Sequence, residues 1–170
     1  SRLKAFDGIL VPGGFGTRGI EGIIATIRYC REKKVPYFGL CYGMQLACVE
    51  FARHVLGKST AHTVEVDEAT SDPIIHVSPI QLKNIRENRY GGTMRLGAFD
   101  CKVKPGTLTA KAYRASVISE RHRHRYEFNN DYADAIEKKG LMITGVNPGS
   151  GLVEIVELKD HPFFVGVQFH

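Results

Sequence analysis

The pentapeptide Gly39-Leu40-Cys41-Tyr42-Gly43 places a thiol between two glycines, after one apolar run and before an amphipathic one. That is the spacing of a nucleophile elbow, G-x-S-x-G, with sulfur in place of oxygen. The chemistry needs the glycines. A strand that turns abruptly into a helix forces the nucleophile into strained backbone angles, and neighbours without Cβ relieve the crowding. A thiol at a helix N-terminus with a histidine nearby also ionises more readily. A cysteine in a tight turn can equally be a small core residue, but the paired glycines at a strand–helix junction favour the nucleophile.

Such a thiol needs a base. His170 closes the apolar stretch Phe164-Val165-Gly166-Val167-Gln168-Phe169. Ligands bind beyond the C-terminal ends of parallel strands, so Cys41 and His170 are expected at one edge of one sheet. His54, His62, His76 and His161 compete from weaker positions: mid-helix, in a loop or before a proline. No third residue to orient the imidazole is visible. Pro12-Gly13-Gly14 reads as a turn whose backbone N–H groups face the sulfur. One such oxyanion donor is worth ~2.7–4 kcal/mol in the transition state. The same loop matches a dinucleotide fingerprint, Gly14-x-Gly16-x-x-Gly19, yet Leu40-Cys41 stand where that motif wants an acid.

Arg121-His122-Arg123-His124-Arg125 alternates in an extended stretch, so the arginines should face one side and the histidines the other. Phosphate binding, metal ligation by His122 and His124, carboxylate recognition by arginine, and a plain basic edge are all open readings. Metal lacks a third ligand, and nucleic acid lacks interleaved aromatic platforms.

These residues must be positioned by strands and helices. Residues 8–11 form a short apolar strand, and residues 20–33 a helix with Ile20, Ile23, Ile24, Ile27 and Cys30 at helical spacing. Residues 35–40 form a second strand. Residues 44–56 form a second helix with Gly57 as its cap. Strand–helix alternation with apolar strands predicts an α/β fold with a mostly parallel sheet and helices on both faces. Further strands are expected at 97–103, 151–158 and 163–169, and a helix at 132–139. Residues 84–92 read as a mobile surface loop. Cys30, Cys48, Cys101, Met44, Val49 and Phe51 read as core. The strands at both ends run almost to the termini, so the chain reads as an excerpt of a larger protein.

Composition narrows the class. The 170 residues make one domain, 1–170. With 43% hydrophobic and 24% charged residues, the chain resembles a packed soluble domain. The net charge of +5 is spread over scattered basic and acidic residues. No apolar run of about 18 residues is present, so no membrane partner is expected. Four cysteines without a CxxC pair suggest free thiols in a reducing cytoplasm.

Several stretches together resemble a known family. Pro12-Gly13-Gly14-Phe15-Gly16, Gly39-x-Cys41-x-Gly43-Met44-Gln45 and Gln168-Phe169-His170 are similar to the class I glutamine amidotransferases. More narrowly, Gly91-Gly92-Thr93-Met94-Arg95-Leu96-Gly97, residues 120–126 and His161-Pro162-Phe163-Phe164 resemble the glutaminase domains of the CTP synthase family, and the resemblance runs along essentially the whole chain. It implies that Cys41 attacks the side-chain amide of L-glutamine, with His170 as base and then acid. Backbone N–H groups of Gly14 and Tyr42 would form the oxyanion hole. Residues Tyr42, Gly43, Met44, Gln45, Glu65 and Arg125 would bind the substrate.

The resemblance further implies no cofactor in this domain. ATP and Mg2+ would serve a synthetase domain of the same polypeptide that aminates UTP, GTP would activate, and the full-length protein would be a homotetramer. Three departures stand out. Tyr42 replaces the usual leucine, Glu65 sits in the diverged segment His62-Thr63-Val64-Glu65, and the glutamate that follows the family's histidine is absent. This chain alone is therefore expected to be weak or inactive. The alternatives are another class I amidotransferase, a γ-glutamyl hydrolase, and, further off, a Rossmann-like nucleotide-binding module.

Overall fold

Three strands that were easy to see from their apolar runs turn out to carry the site. In the computed structural model, which describes residues 2–77 and 94–170, β1 (Ile9–Val11), β2 (Tyr37–Leu40) and β10 (Phe164–Val167) lie side by side and parallel. The rest of the seven-stranded sheet is antiparallel. β9 (Val153–Leu158) pairs with β10, followed by β8 (Leu141–Val146), β5 (Arg95–Val103) and β6 (Val117–His124). The α/β class stands, but the sheet is mixed rather than mostly parallel. In this sheet the expected parallel character is confined to β1, β2 and β10, with α1 (Ile20–Lys33) as the helix crossover from β1 to β2 and α2 (Tyr42–His54) following β2. The long β5–β6 pair, registered from Arg95 opposite His124 to Lys102 opposite Val117, curls the sheet. Its curl brings the Arg121 carbonyl to the N–H of His170, at 2.8 Å. A small second sheet joins β3 (His62–Thr63), β4 (Pro73–Val77) and β7 (Tyr126–Phe128).

The helices form for legible reasons. α1 buries Ile20, Ile24, Ile27 and Cys30 at three- and four-residue spacing. Burying each isoleucine contributes about 1.5–3 kcal/mol. The helix stops where Lys34 turns left-handed (φ 54) and returns its N–H to the Cys30 carbonyl, two residues ahead of Pro36. α2 is buried along residues 42–52, because α1 covers one side and the sheet the other. Burial on all sides makes polar members dependent on partners. Glu50, fully buried in α2, accepts two short bonds from Arg31 of α1, at 2.8 and 2.9 Å. Gly57, in the left-handed region at φ 72, follows the helix end as expected.

Helices do cover both faces, unevenly. α1, α2 and α4 (Ala133–Lys138) pack on one side, sharing a core with Tyr37, Val156 and Phe164. Among the described residues, only the short α3 (Leu108–Tyr113) packs on the other, over Cys101, Ile155, Val165 and Val167. Cys30, Cys48, Cys101, Met44, Val49 and Phe51 are all buried, as their spacing suggested. The proposed surface loop at 84–92 lies outside the described residues. The antiparallel strand β8 and the short α3 had no counterpart among the expected elements.

Candidate active site

β2 ends at Leu40 and α2 begins at Tyr42, so one residue must turn the chain. Cys41 does so at φ 50, ψ −98, a conformation that L-residues rarely adopt. The flanking glycines make the turn possible. A Cβ on Gly39 would stand 2.7 Å from the Gly43 carbonyl carbon, and one on Gly43 would stand 2.4 Å from the Val11 carbonyl oxygen. Both distances are below any ordinary contact, so the elbow needs glycine on each side of the thiol. The Cys41 N–H is held by the Val167 carbonyl at 2.7 Å, which ties the elbow directly to β10.

The neighbouring strand ends complete the site. Gly13 and Gly14 follow β1, and His170 follows β10. A cavity of about 650 Å³ is lined by Gly13, Gly14, Phe15, Cys41, Gln45, Glu65, Met94, residues 123–126 and His170. Gly13 packs on the imidazole, since a Cβ there would lie 2.5 Å from Cε1 of His170. Of the residues proposed for substrate, Gly14, Gln45, Glu65 and Arg125 reach this cavity. Arg125 is exposed, between β6 and β7.

Tyr42, Gly43 and Met44 do not line the cavity. The Met44 side chain packs on Gly166, and the Tyr42 hydroxyl donates to the Gly16 carbonyl at 2.6 Å. Of the three, only Tyr42 acts on the nucleophile, through its backbone N–H. Glu65 accepts from the Gly16 N–H at 3.0 Å through Oε1. Tyr42 and Glu65 thus clamp the same glycine loop, which accounts for the phenol that replaces leucine beside the nucleophile.

Electrostatics set the resting protonation states. Burial pushes the Cys41 thiol up to about 11. Glu127 and Glu65 add to the rise, while the Tyr42 N–H and the Gln168 amide oppose it. His170 moves the other way. Burial, then Arg121 and His122, hold its imidazole below its ordinary value. At neutral pH the pair therefore rests as thiol and neutral imidazole, so the proton has to leave the sulfur for a base as the sulfur attacks.

The pattern for the family "Glutamine amidotransferase class-I" matches residues 1–170. The chain belongs to the class I glutamine amidotransferase family. Within the family it is 57% identical over 169 residues to the CTP synthase of Halalkalibacterium halodurans, covering 99% of this chain and 31% of that protein. The chain thus spans about a third of the length of the curated relatives it matches. The glutaminase domain of Trypanosoma brucei CTPS, solved with bound acivicin, superposes with a TM-score of 0.91 at 38% identity, over 99% of this chain and 64% of that one. A glutamine amidotransferase from Thermotoga maritima shares the fold at a TM-score of 0.61 and 14% identity, over 99% of this chain and 57% of that one. Over almost its whole length the chain is thus similar to part of a CTP synthase and to a CTPS glutaminase domain, and the Rossmann alternative gives way to the family match.

The amidotransferase fold also contains a polar cluster that the sequence did not announce. The strand 117–124 alternates as expected, with Arg121 and Arg123 exposed and His122 and His124 buried. The buried side meets charges from other strands. His122 Nε2 lies 2.7 Å from Glu154, and Arg95 bonds Glu154 at 2.7 Å and Glu127 at 3.3 Å. His124 Nδ1 faces the Tyr126 carbonyl at 3.0 Å, so it carries the proton there, and burial beside Arg95 pushes the imidazole down to about 3. Glu127 is pushed up to about 8 by burial, against the pull of Arg95. The only sequence signal for this cluster was the Arg–His alternation, because the partners lie 32 and 59 residues apart along the chain.

Proposed function

We propose that this domain hydrolyses L-glutamine with Cys41 as nucleophile and His170 as base. The observation that carries the reading is the shared cavity of a strained Cys41 and His170, at the ends of two paired parallel strands, in a chain of this family. His170 takes the thiol proton as the sulfur bonds to the amide carbon. The oxyanion that forms meets the N–H groups of Gly14 and Tyr42. The carbon–nitrogen bond then breaks, and the nitrogen takes the proton back from His170 and leaves as ammonia. Water attacks the remaining γ-glutamyl thioester, giving a proton to His170. The carbon–sulfur bond breaks, the sulfur recovers a proton, and glutamate is released. Gln45 and Glu65 receive the α-ammonium and Arg125 the α-carboxylate, a charge match supported by their position on one cavity.

In the whole polypeptide, the ammonia passes to a synthetase domain. There ATP with Mg2+ activates UTP, ammonia displaces the phosphate, and CTP forms, with GTP as activator and a homotetramer as the assembly. This part is supported by the CTP synthase relatives alone. A cytoplasmic setting fits the four free, buried cysteines. No helix of the described residues is long and apolar enough to cross a membrane.

The test is glutamine turnover by the full-length protein, with glutamate and ammonia measured together. Cys41→Ala is expected to abolish both. A glutamine-like alkylating agent is expected to label Cys41 alone, because Cys41 lines the cavity and the buried Cys30, Cys48 and Cys101 do not. Preferential labelling of another cysteine in peptide mass spectra would reject the assignment.

A further inference from the structure

Gln168 is fully buried just beyond β10, two residues before His170, and its backbone N–H donates to the Glu154 carbonyl at 2.8 Å. Its side chain reaches the nucleophile, with Nε2 3.5 Å from Cys41 Sγ. Its Oε1 accepts from Gln45 Nε2 at 3.2 Å, and the same Gln45 nitrogen donates to the Tyr126 carbonyl at 3.0 Å. An amide can be turned end for end, so the atom facing the sulfur has to follow from the network. A backbone carbonyl only accepts. Gln45 must therefore give its NH2 to Tyr126. That NH2 also faces Gln168, which must answer with its oxygen. The end of Gln168 left for the sulfur is its NH2. The Tyr126 carbonyl thus dictates, through two amides, that the sulfur meets a donor and not an acceptor.

We propose that Gln168 is a catalytic donor to the nucleophile, stabilising the Cys41 thiolate as it forms and again as the thioester expels it, with an orientation imposed by Gln45. The proposal rests on the reading of Cys41 as nucleophile. A hydrogen bond to sulfur strengthens as negative charge grows on it, so the donor favours the charged states over the resting thiol. The need for one is visible around the thiol. Burial, Glu127 of β7 and Glu65 all oppose the thiolate, and among the described residues the Tyr42 N–H and Gln168 are the groups that lower the thiol. His170 shares the cavity as proton acceptor, and Arg123, His124 and Arg125 line it from β6 and the turn after it.

The experiment follows Cys41 alkylation by iodoacetamide against pH, together with glutamine turnover, in the full-length protein. Gln168→Glu keeps the shape but turns an acceptor toward the sulfur. It is expected to raise the apparent thiol pKa by about one unit or more and slow alkylation at fixed pH about tenfold, with kcat falling more than KM changes. Gln168→Met, of similar length with no donor, is expected to shift the profile the same way by less. Because the orientation is relayed, Gln45→Met should slow alkylation in the native background and add nothing in the Gln168→Met background. An unchanged alkylation profile in both Gln168 variants, with native circular dichroism, overturns the proposal. If Gln168→Glu does not fold, the Met variants and their non-additivity decide. The Cys41 reading fails separately: glutamine hydrolysis surviving in Cys41→Ala, with Gln168 intact, would remove it and the donor role together.

Discussion

Gly13 and the ring of His170 are in face-to-face contact, with room for no atom between them: a Cβ on Gly13 would meet His170 Cε1 at 2.5 Å and Nδ1 at 3.2 Å. Beyond the oxyanion role proposed for it, the turn after β1 is one wall of the slot that holds the His170 ring. Gly13→Ala must push the imidazole aside, and a misplacement of about 1 Å can cost about a hundredfold in rate. We expect kcat/KM for glutamine to fall by about that factor while the thermal midpoint barely moves. An unaltered rate would mean that the imidazole has slack this packing does not allow.

The pH profile should follow from His170. Its pKa is lowered, so the imidazole loses its proton below its ordinary value of about 6.5. The base must be neutral to accept a proton. Activity should accordingly rise with pH along an acid limb centred below 6.5 and be fully developed by neutrality. Measurement of kcat/KM against pH checks this, and an acid limb centred above 7 would contradict it.

Arg125 tests the substrate assignment. It lines the cavity, is exposed, and has no hydrogen bond or ion pair among those found between described residues. If it takes the α-carboxylate, Arg125→Ala should raise the KM for glutamine roughly ten- to a hundredfold, the worth of a charge-assisted bond. Lysine should restore only part, lacking the planar fork. The effect should be the same with nucleic acid present or absent. Loss of salt-sensitive RNA binding without a change in KM would assign the arginine cluster elsewhere.

Arg95 is the cation between Glu127 and Glu154, and all three are buried. Arg95→Met leaves the buried Glu154 without its guanidinium partner and facing Glu127. Breaking such a buried cluster from one side typically costs about 3–5 kcal/mol, and urea denaturation should show a loss of that order at neutral pH. The loss should grow as the pH rises through the raised range of Glu127, near 8, where its carboxyl gives up its proton beside Glu154.

What could be read from the chain depended on how far apart the interacting residues lie. The elbow was legible because Gly39, Cys41 and Gly43 sit within five residues and the constraint is steric. α1 was legible because its four buried residues repeat at helical spacing. The antiparallel half was not, since alternation along residues 95–103 or 117–124 tells which side chains go inward but nothing of which strand lies alongside or in which direction. Nothing in the chain marked Glu154 and Arg95 as partners, because they lie 59 residues apart. Met44 was placed with the substrate through the family resemblance while its helical spacing marked it as core, and the structure puts its side chain in the core. Gln45, one residue on, reaches the cavity.

The bond from the His170 N–H to the Arg121 carbonyl gives the two reacting residues different mechanical surroundings. Cys41 is held on three sides, with β2 behind it, α2 ahead and β10 alongside. His170 follows β10 and is tied by its N–H to the outermost strand of the curled sheet. Bending of the long hairpin 95–124 would therefore move His170 relative to Cys41. The His170 amide should therefore exchange its hydrogen at the pace of β6 rather than at the pace of β2, and whatever grips the hairpin from outside gains a handle on the proton transfer without touching the cavity.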